Sequence, residues 1–368
     1  MADTTPLPRA ALNRYVNAMA SDDAGMLRGF WYVAIAARKL ARGKTQAATL
    51  LGEALIIGRG QDGAVFAYAD RCPHRGMPMH NGSFDGTNLH CCYHGWQFSA
   101  ANGTCVKIPA LAEGDPTAPG RFRLRAYPCQ DVQGNVWVFM PSGRTVPDTL
   151  PPVPQVPGFE GIPPQITTTM RFPSNAEIAA YGFCDPAHPA FVHTSRWWKS
   201  KKALKLRPKT KSFEPVEHGF RMKTHTLNGG ARPYRLLGSD VQVDVTLSLP
   251  GLRIEHIRGS KHSACVLAAV TPVTATETDV HYCVYWTLPW LTAFRPFAAY
   301  MARDFLRQDL DMAAKLAHGP VTPPMLFVGD ADTQIAWMIR LKREYTASQI
   351  EGRDFINPLS EQTLEWKS

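Results

Sequence analysis

The feature that most limits what this chain can fold into is a pair of short cysteine–histidine segments. Cys72-Pro-His74 is followed, beyond residues 75 to 90, by Cys91-Cys-Tyr-His94. Two thiolates and two imidazoles, each pair within one loop, can hold metal. Zinc accepts the same four donors. The spacing C-x-H then C-x-x-H departs from most zinc modules, which pair two cysteines and then two histidines. A [2Fe–2S] cluster would use the set differently, with Cys72 and Cys91 on one iron and His74 and His94 on the other. Replacing two thiolates by neutral imidazoles removes negative charge and raises the reduction potential. The C-x-x-H spacing selects Cys91 over Cys92, and His80 and His90 sit nearby.

The surrounding chain divides in two. With 368 residues it exceeds one comfortable core. Residues 1–29 read as a helical lead-in. From 30 to 142 the pattern is short and strand-like (FWYVAIA, ALIIGRG, AVFAYAD, NVWVFM), broken by Gly, Asn-Gly and Asp-Gly turn signals. This predicts a small all-β domain. Residues 143–165 are rich in proline, which sustains neither helix nor central strand, and read as a stiff connector. Within 166–368, a helical stretch around Ala176–Thr194 precedes alternating strands and two late helices, about Phe297–Ala317 and Asp330–Tyr345. That order predicts an α+β domain, an antiparallel sheet covered by helices.

A second donor set lies in the later part, Asp185-Pro-Ala-His188-Pro-Ala-Phe-Val-His193. Residues three apart on a helix are neighbours, so the Asp185 side chain is expected to contact the His188 ring. His193 lies off that face, and Pro189 gives a reason for irregularity. Two histidines and a carboxylate suit a mononuclear iron that keeps open positions. The carboxylate candidates are Asp304, Asp309, Asp311, Asp330 and Asp332.

The first segment, with Arg75-Gly76 and Gly95-Trp96 as flanks, resembles the cluster motif of the Rieske non-haem iron oxygenases. Residues 175–193 resemble that family's catalytic helix, with Asn175 ten positions before Asp185. Tyr181-Gly182 departs from the Glu-Asn found there in many members. Phe305-Leu-Arg-Gln-Asp309 is similar to its F-x-x-(Glu/Gln)-Asp signature, which favours Asp309 as third ligand, then Asp311, then Asp304. The resemblance implies a Rieske domain followed by a helix-grip, START-like catalytic domain. It implies a [2Fe–2S] cluster, a mononuclear Fe(II), and NAD(P)H acting through a separate reductase and a possible ferredoxin. It also implies a homotrimer of the α3 monooxygenase branch, in which Asp185 bridges His94 of one chain and His188 of the next. The activity implied is that of a terminal oxygenase, hydroxylating or oxidatively demethylating a small aromatic or polycyclic molecule with O2. A Rieske-type electron carrier and a zinc-bearing binding module are the competing readings.

Charge and composition bear on partners. The formal charge is +9, yet the densest basic run, Lys199 to Lys211, carries no nucleic-acid module around it. No apolar run approaches membrane-spanning length. Eight cysteines in a large chain without an apolar leader read as thiols or metal ligands in a reducing, cytoplasmic setting. The substrate pocket is expected on the second domain's sheet. Trp197, Trp198, Tyr234, Tyr285, Trp286, Trp290 and Phe294 are candidate lining, and Arg232, Arg235 and Arg253 are candidate anion grips.

Overall fold

The computed structural model describes residues 26–143, 145–195, 206–227, 236–317 and 326–368. The helical lead-in expected over 1–29 therefore lies, up to residue 25, outside the described residues. The chain forms two compact units, Leu27–Pro163 and a second running from Pro164 to Ser368.

The first unit is all β, as its short alternating segments predict. Its strands are β1 (Phe30–Ala36), β2 (Lys44–Leu50), β3 (Glu53–Arg59), β4 (Val65–Ala69), β5 (Ser83–Phe84), β6 (Asn88–His90), β7 (Gln97–Ser99), β8 (Cys105–Lys107), β9 (Ala126–Tyr127), β10 (Cys129–Val132) and β11 (Asn135–Met140). They make three small sheets, ordered β1-β11-β10, β2-β3-β4-β9 and β5-β6-β7-β8. Strand β11 is buried at every position, which explains its unbroken apolar run. The two cysteine–histidine segments flank β5 and β6 in the third sheet.

The proline-rich stretch is strapped to this unit. Val153, Val156 and Phe159 are buried. The Gln133 side chain donates to the carbonyls of Val156 (2.9 Å) and Phe159 (2.6 Å) and accepts from the Val156 amide (2.7 Å). Trp31 Nε1 donates to the Pro151 carbonyl at 2.8 Å. The boundary between units falls after Pro163, and the stretch is tied to the first unit through Val153, Val156 and Phe159.

In the second unit β12 (Ile166–Phe172) leads into α1 (Ala176–Cys184) and the short α2 (Pro189–Val192). There follow β13 (Pro208–Val216), β14 (Gly219–Thr226), β15 (Gln242–Ser248), β16 (Leu252–Arg258), β17 (Ser263–Pro272) and β18 (Thr278–Trp286). The chain ends with α3 (Arg295–Ala317), α4 (Thr333–Glu351) and β19 (Gln362–Lys367). The sheet is antiparallel, ordered β12-β18-β17-β16-β15-β14-β13-β19. One face takes the helices: Phe172, Val270 and Val280 bury against Ala176, Ala179 and Ala180 of α1 and Leu306 and Ala313 of α3. Farther along that face Trp337 of α4 meets Phe213 and Phe220 edge-on. This is the helix-covered α+β sheet expected from the sequence.

Two elements differ from expectation. The helical stretch 176–194 is two helices, because Pro186 disfavours the helical region at Asp185 (φ −79°, ψ 110°), so α1 stops there. Pro189 then opens α2 at its first turn. Strand β19 was not anticipated; it closes the sheet edge on β13, turning Leu364 and Trp366 inward.

The Gln133 strap is testable. Gln133→Ala leaves three buried main-chain groups without their side-chain partner and should lower unfolding stability by ~2–4 kcal/mol in urea titration. An unchanged midpoint would show that the proline-rich stretch holds itself.

Candidate metal sites

The two cysteine–histidine loops are built alike. In the first, the Cys72 amide donates to Met77 O (2.8 Å) and the Gly76 amide donates back to Cys72 O (2.9 Å). In the second, Cys91 N donates to Trp96 O (2.8 Å) and Gly95 N to Cys91 O (3.0 Å). Each loop closes because the glycine four residues past the cysteine adopts left-handed backbone, φ 72° at Gly76 and 69° at Gly95. Both thiols are buried in the apolar cluster of Met79, Leu89, Trp96 and Phe98. The histidines reach outward: His74 is exposed, and His94 is half-buried. Their rings lie 4.7 Å apart, and His74 stacks on Trp96 at an interplanar angle of 7°. Burial pushes the Cys72 thiol up to about 11, with Cys91 adding to the effect. Two buried thiols, of which Cys72 resists ionisation unaided, beside two imidazoles at the rim, fit a group that supplies positive charge. Cys92 is exposed, so its side chain is not part of this set.

The second cluster forms on the helix side of the sheet. His188, His193 and Asp309 each offer a ligand atom, all within 4.8 Å of one another. His188 Nε2 lies 3.5 Å and His193 Nε2 3.4 Å from Asp309 Oδ1. Ligands of one metal, each bonded at about 2.1 Å, sit roughly 3–3.5 Å apart, so the donors fit a shared ion. His188 Nδ1 donates to the main-chain carbonyl of Asp185 (2.7 Å). That bond fixes the tautomer and leaves Nε2 as the metal-facing lone pair. His193 is 1 % exposed, and its Nδ1 has no partner among the described residues. Burial pushes the His193 ring down to about 4. Burial also opposes the charge on His188, but Asp309 and Asp185 outweigh it and raise that ring.

The Asp185 side chain departs from its expected role. Its Oδ1 accepts the amides of Ala187 (2.7 Å) and His188 (3.2 Å). It is the carbonyl, released from helical bonding at the end of α1, that holds the His188 ring. Residues 185 and 188 are not neighbours along a helix, because the helix has already stopped.

Sequence reading also missed how His193 is fixed. Gln308 accepts from the Thr194 amide (2.8 Å) and donates to Ser195 Oγ (2.9 Å), and Ser195 donates to Asp304. Phe305 stacks on the His193 ring at 3.6 Å. Phe305, Gln308 and Asp309 share one helix face, so a single turn of α3 stacks, clamps and supplies the carboxylate. Asp304 belongs to the clamp, Asp311 is exposed, Asp330 accepts from the Glu365 amide, and Asp332 accepts from Val328.

Of the residues proposed to line a pocket, Trp197, Trp198, Tyr234, Arg232 and Arg235 lie outside the described residues. So does the basic run up to residue 205. Tyr285 is fully buried on the sheet face away from the helices, Trp286 is buried, and Trp290 and Phe294 are exposed. Arg253 lies on the helix-covered face.

Residues 30–128 match the family described as Rieske [2Fe-2S] domain. The chain is 37% identical over 125 residues to the 3-chlorobenzoate-3,4-dioxygenase oxygenase subunit of Comamonas testosteroni, covering 34% of this chain and 28% of that protein. It is 34% identical over 160 residues to the 4beta-methylsterol monooxygenase of Methylococcus capsulatus, covering 43% and 40%. The chain thus spans less than half the length of these relatives. Its fold is that of the terminal oxygenase of carbazole 1,9a-dioxygenase from Novosphingobium sp. KA1, with TM-score 0.67 at 19% identity over 91% of this chain and 98% of the other.

Two variants separate the sites. Cys91→Ser should abolish acid-labile sulfide and visible absorbance, whereas Cys92→Ser should retain both. Gln308→Ala should weaken iron binding at the second site by ~10–100-fold while leaving sulfide content unchanged; unaltered iron titration would remove the clamp from the argument.

Proposed function

We propose that this chain, which carries a Rieske [2Fe–2S] domain joined to a unit with the fold of Rieske terminal oxygenases, is itself such an oxygenase. It would hydroxylate or oxidatively demethylate a small, largely apolar molecule. The observation that carries this reading is the convergence of His188, His193 and Asp309 within 4.8 Å, which a bare electron carrier does not need. Two imidazoles and one carboxylate leave coordination positions open, the arrangement used by non-haem iron oxygenases.

Cys72, Cys91, His74 and His94 would hold the cluster, and His188, His193 and Asp309 the mononuclear iron. Bound there, the two groups would supply one-electron transfer and oxygen activation. The residues do the rest. Asp185 fixes the His188 ring through its carbonyl, and Gln308 with Phe305 fixes His193. The half-buried ring of Tyr282 lies 6.2 Å from that of Phe305 and adds apolar surface beside the ligands. Such fixed positioning lets a substrate bond sit in one orientation at the metal. Reducing equivalents would come from NAD(P)H through a separate reductase, with or without a ferredoxin. The proposed assembly is a homotrimer, a closed head-to-tail ring. No described helix is long and apolar enough to cross a membrane.

The test is metal content beside turnover. The purified protein should carry about three irons and two sulfides per chain. Asp309→Ala should fall to about two irons with sulfide and visible spectrum unchanged, and should lose oxygen consumption. Retained iron together with retained oxygen consumption would sink the ligand set.

A further inference from the structure

Helix α3 gives one side to the fold. Ala302, Leu306 and Ala313 are buried, and Leu306 and Ala313 pack with α1 on Phe172, Val270 and Val280 of the sheet. The opposite side of its first turns is aromatic. A short 3₁₀ turn, Trp290–Phe294, runs straight into α3, and Trp290, Phe294, Phe297 and Tyr300 are 50%, 55%, 61% and 62% exposed. Trp290 meets Phe294 edge-on, with ring centroids 6.1 Å apart. Phe297 and Tyr300 are three residues apart on the helix and so adjacent on its surface. Four large rings about half exposed amount to roughly 400 Å² of aromatic surface, a size at which patches on protein surfaces commonly serve a partner.

The charge around the rings is one-sided. From Val280 to Arg303 the chain has no Asp or Glu. Arg295 serves the fold, its Nε donating to the Gln165 carbonyl at 2.9 Å. Arg303 and Arg307 follow Tyr300 at steps of three and four residues, so they continue the same face, and both are exposed. Asp304 is turned to Ser195, and Asp311 is exposed one turn beyond Arg307. The whole chain carries a formal charge of +9. Rings at the tip with arginines behind them are complementary to an anionic surface that has an apolar layer beneath it. A second copy of the chain offers the same excess of positive charge, and a two-fold contact through this face would bring two sets of arginines together. A bilayer supplies both layers at once, headgroup charge above acyl chains, and Trp and Tyr are the residues that settle at that boundary.

We infer that the face formed by Trp290, Phe294, Phe297, Tyr300, Arg303 and Arg307 docks the protein on the surface of a bilayer that contains anionic lipid. The rings enter the boundary between headgroups and acyl chains, and the two guanidiniums meet headgroup phosphates. The docking is peripheral, because no described helix is long and apolar enough to cross a membrane. Asp309 lies nine residues beyond Tyr300, ~14 Å along α3. The bilayer contact is thus made by the helix that carries the candidate carboxylate without using that carboxylate. The inference does not depend on the oxygenase reading.

Flotation of the intact, metal-loaded protein with lipid vesicles decides it. One set of vesicles is phosphatidylcholine, and the other is an equimolar mixture of phosphatidylcholine and phosphatidylglycerol. The unmodified protein should partition onto the mixed vesicles at least ~10-fold more strongly than onto phosphatidylcholine, and added salt should weaken that binding. The double variant R303Q/R307Q should lose the preference for the mixed vesicles. The double variant F294S/F297S, which removes two rings and keeps every charge, should bind the mixed vesicles at least ~10-fold more weakly. All four positions are exposed, and iron and sulfide counts on each variant show that the metal sites persist. Absence of binding to either kind of vesicle, or binding to the mixed vesicles that either variant leaves unchanged, would overturn the inference. A smaller assembly of F294S/F297S by light scattering, with vesicle binding retained, would overturn it in favour of a contact between copies of the chain.

Discussion

The second metal site depends on where one helix stops. Pro186 cannot follow a residue in helical conformation without a clash, so Asp185 is extended and α1 ends. The residue four positions on is Pro189, which has no N–H, so no helical donor reaches the Asp185 carbonyl. His188 takes it through Nδ1. The Asp185 carboxylate meanwhile gathers the amides of Ala187 and His188, which fixes the turn before Pro189 starts α2. One residue therefore closes a helix, shapes a turn and sets a tautomer. Without that bond the His188 ring would be free to rotate and to exchange its proton between nitrogens.

The two donor sets solve opposite problems. In the first unit the thiols sit in the apolar core and the imidazoles at its edge, so the negatively charged ligands are the ones removed from water. Such burial opposes ionisation unless a cationic group compensates, and the rise at Cys72 expresses this. In the second unit His193 is deeply buried, which pushes its ring down to about 4, and Asp309 is the carboxylate of the set. The first arrangement suits passing charge, and the second suits holding a cation beside an apolar space.

What could be read from the sequence follows the range of the interactions involved. The cluster loops were legible because each is local: a cysteine, a left-handed glycine four residues on, and a histidine between. The convergence of Asp309 with His188 and His193 was legible because Phe305, Gln308 and Asp309 recur on one helical face. The contact between the Asp185 side chain and the His188 ring was misread because helical spacing was applied across Pro186. The proline-rich stretch was legible as extended, but nothing local says that Gln133 will bind residues far along the chain. Strand β19 shows an alternating pattern, yet its partner β13 precedes it by some 150 residues, and pairing at that range leaves no local trace. Which face an aromatic occupies is hidden for a related reason. Tyr282 and Tyr285 look equivalent in sequence, and only the register shows that they occupy opposite faces.

The same register separates two kinds of residue. The candidate metal donors lie on the helix side, with His188 and His193 flanking α2 and Asp309 on α3. The backbone of β16, β17 and β18 is held on both sides by neighbouring strands. A substitution at Val266, Ala268 or Val284 therefore alters the sheet face without touching a candidate donor or its clamps, so each can change while the other is kept.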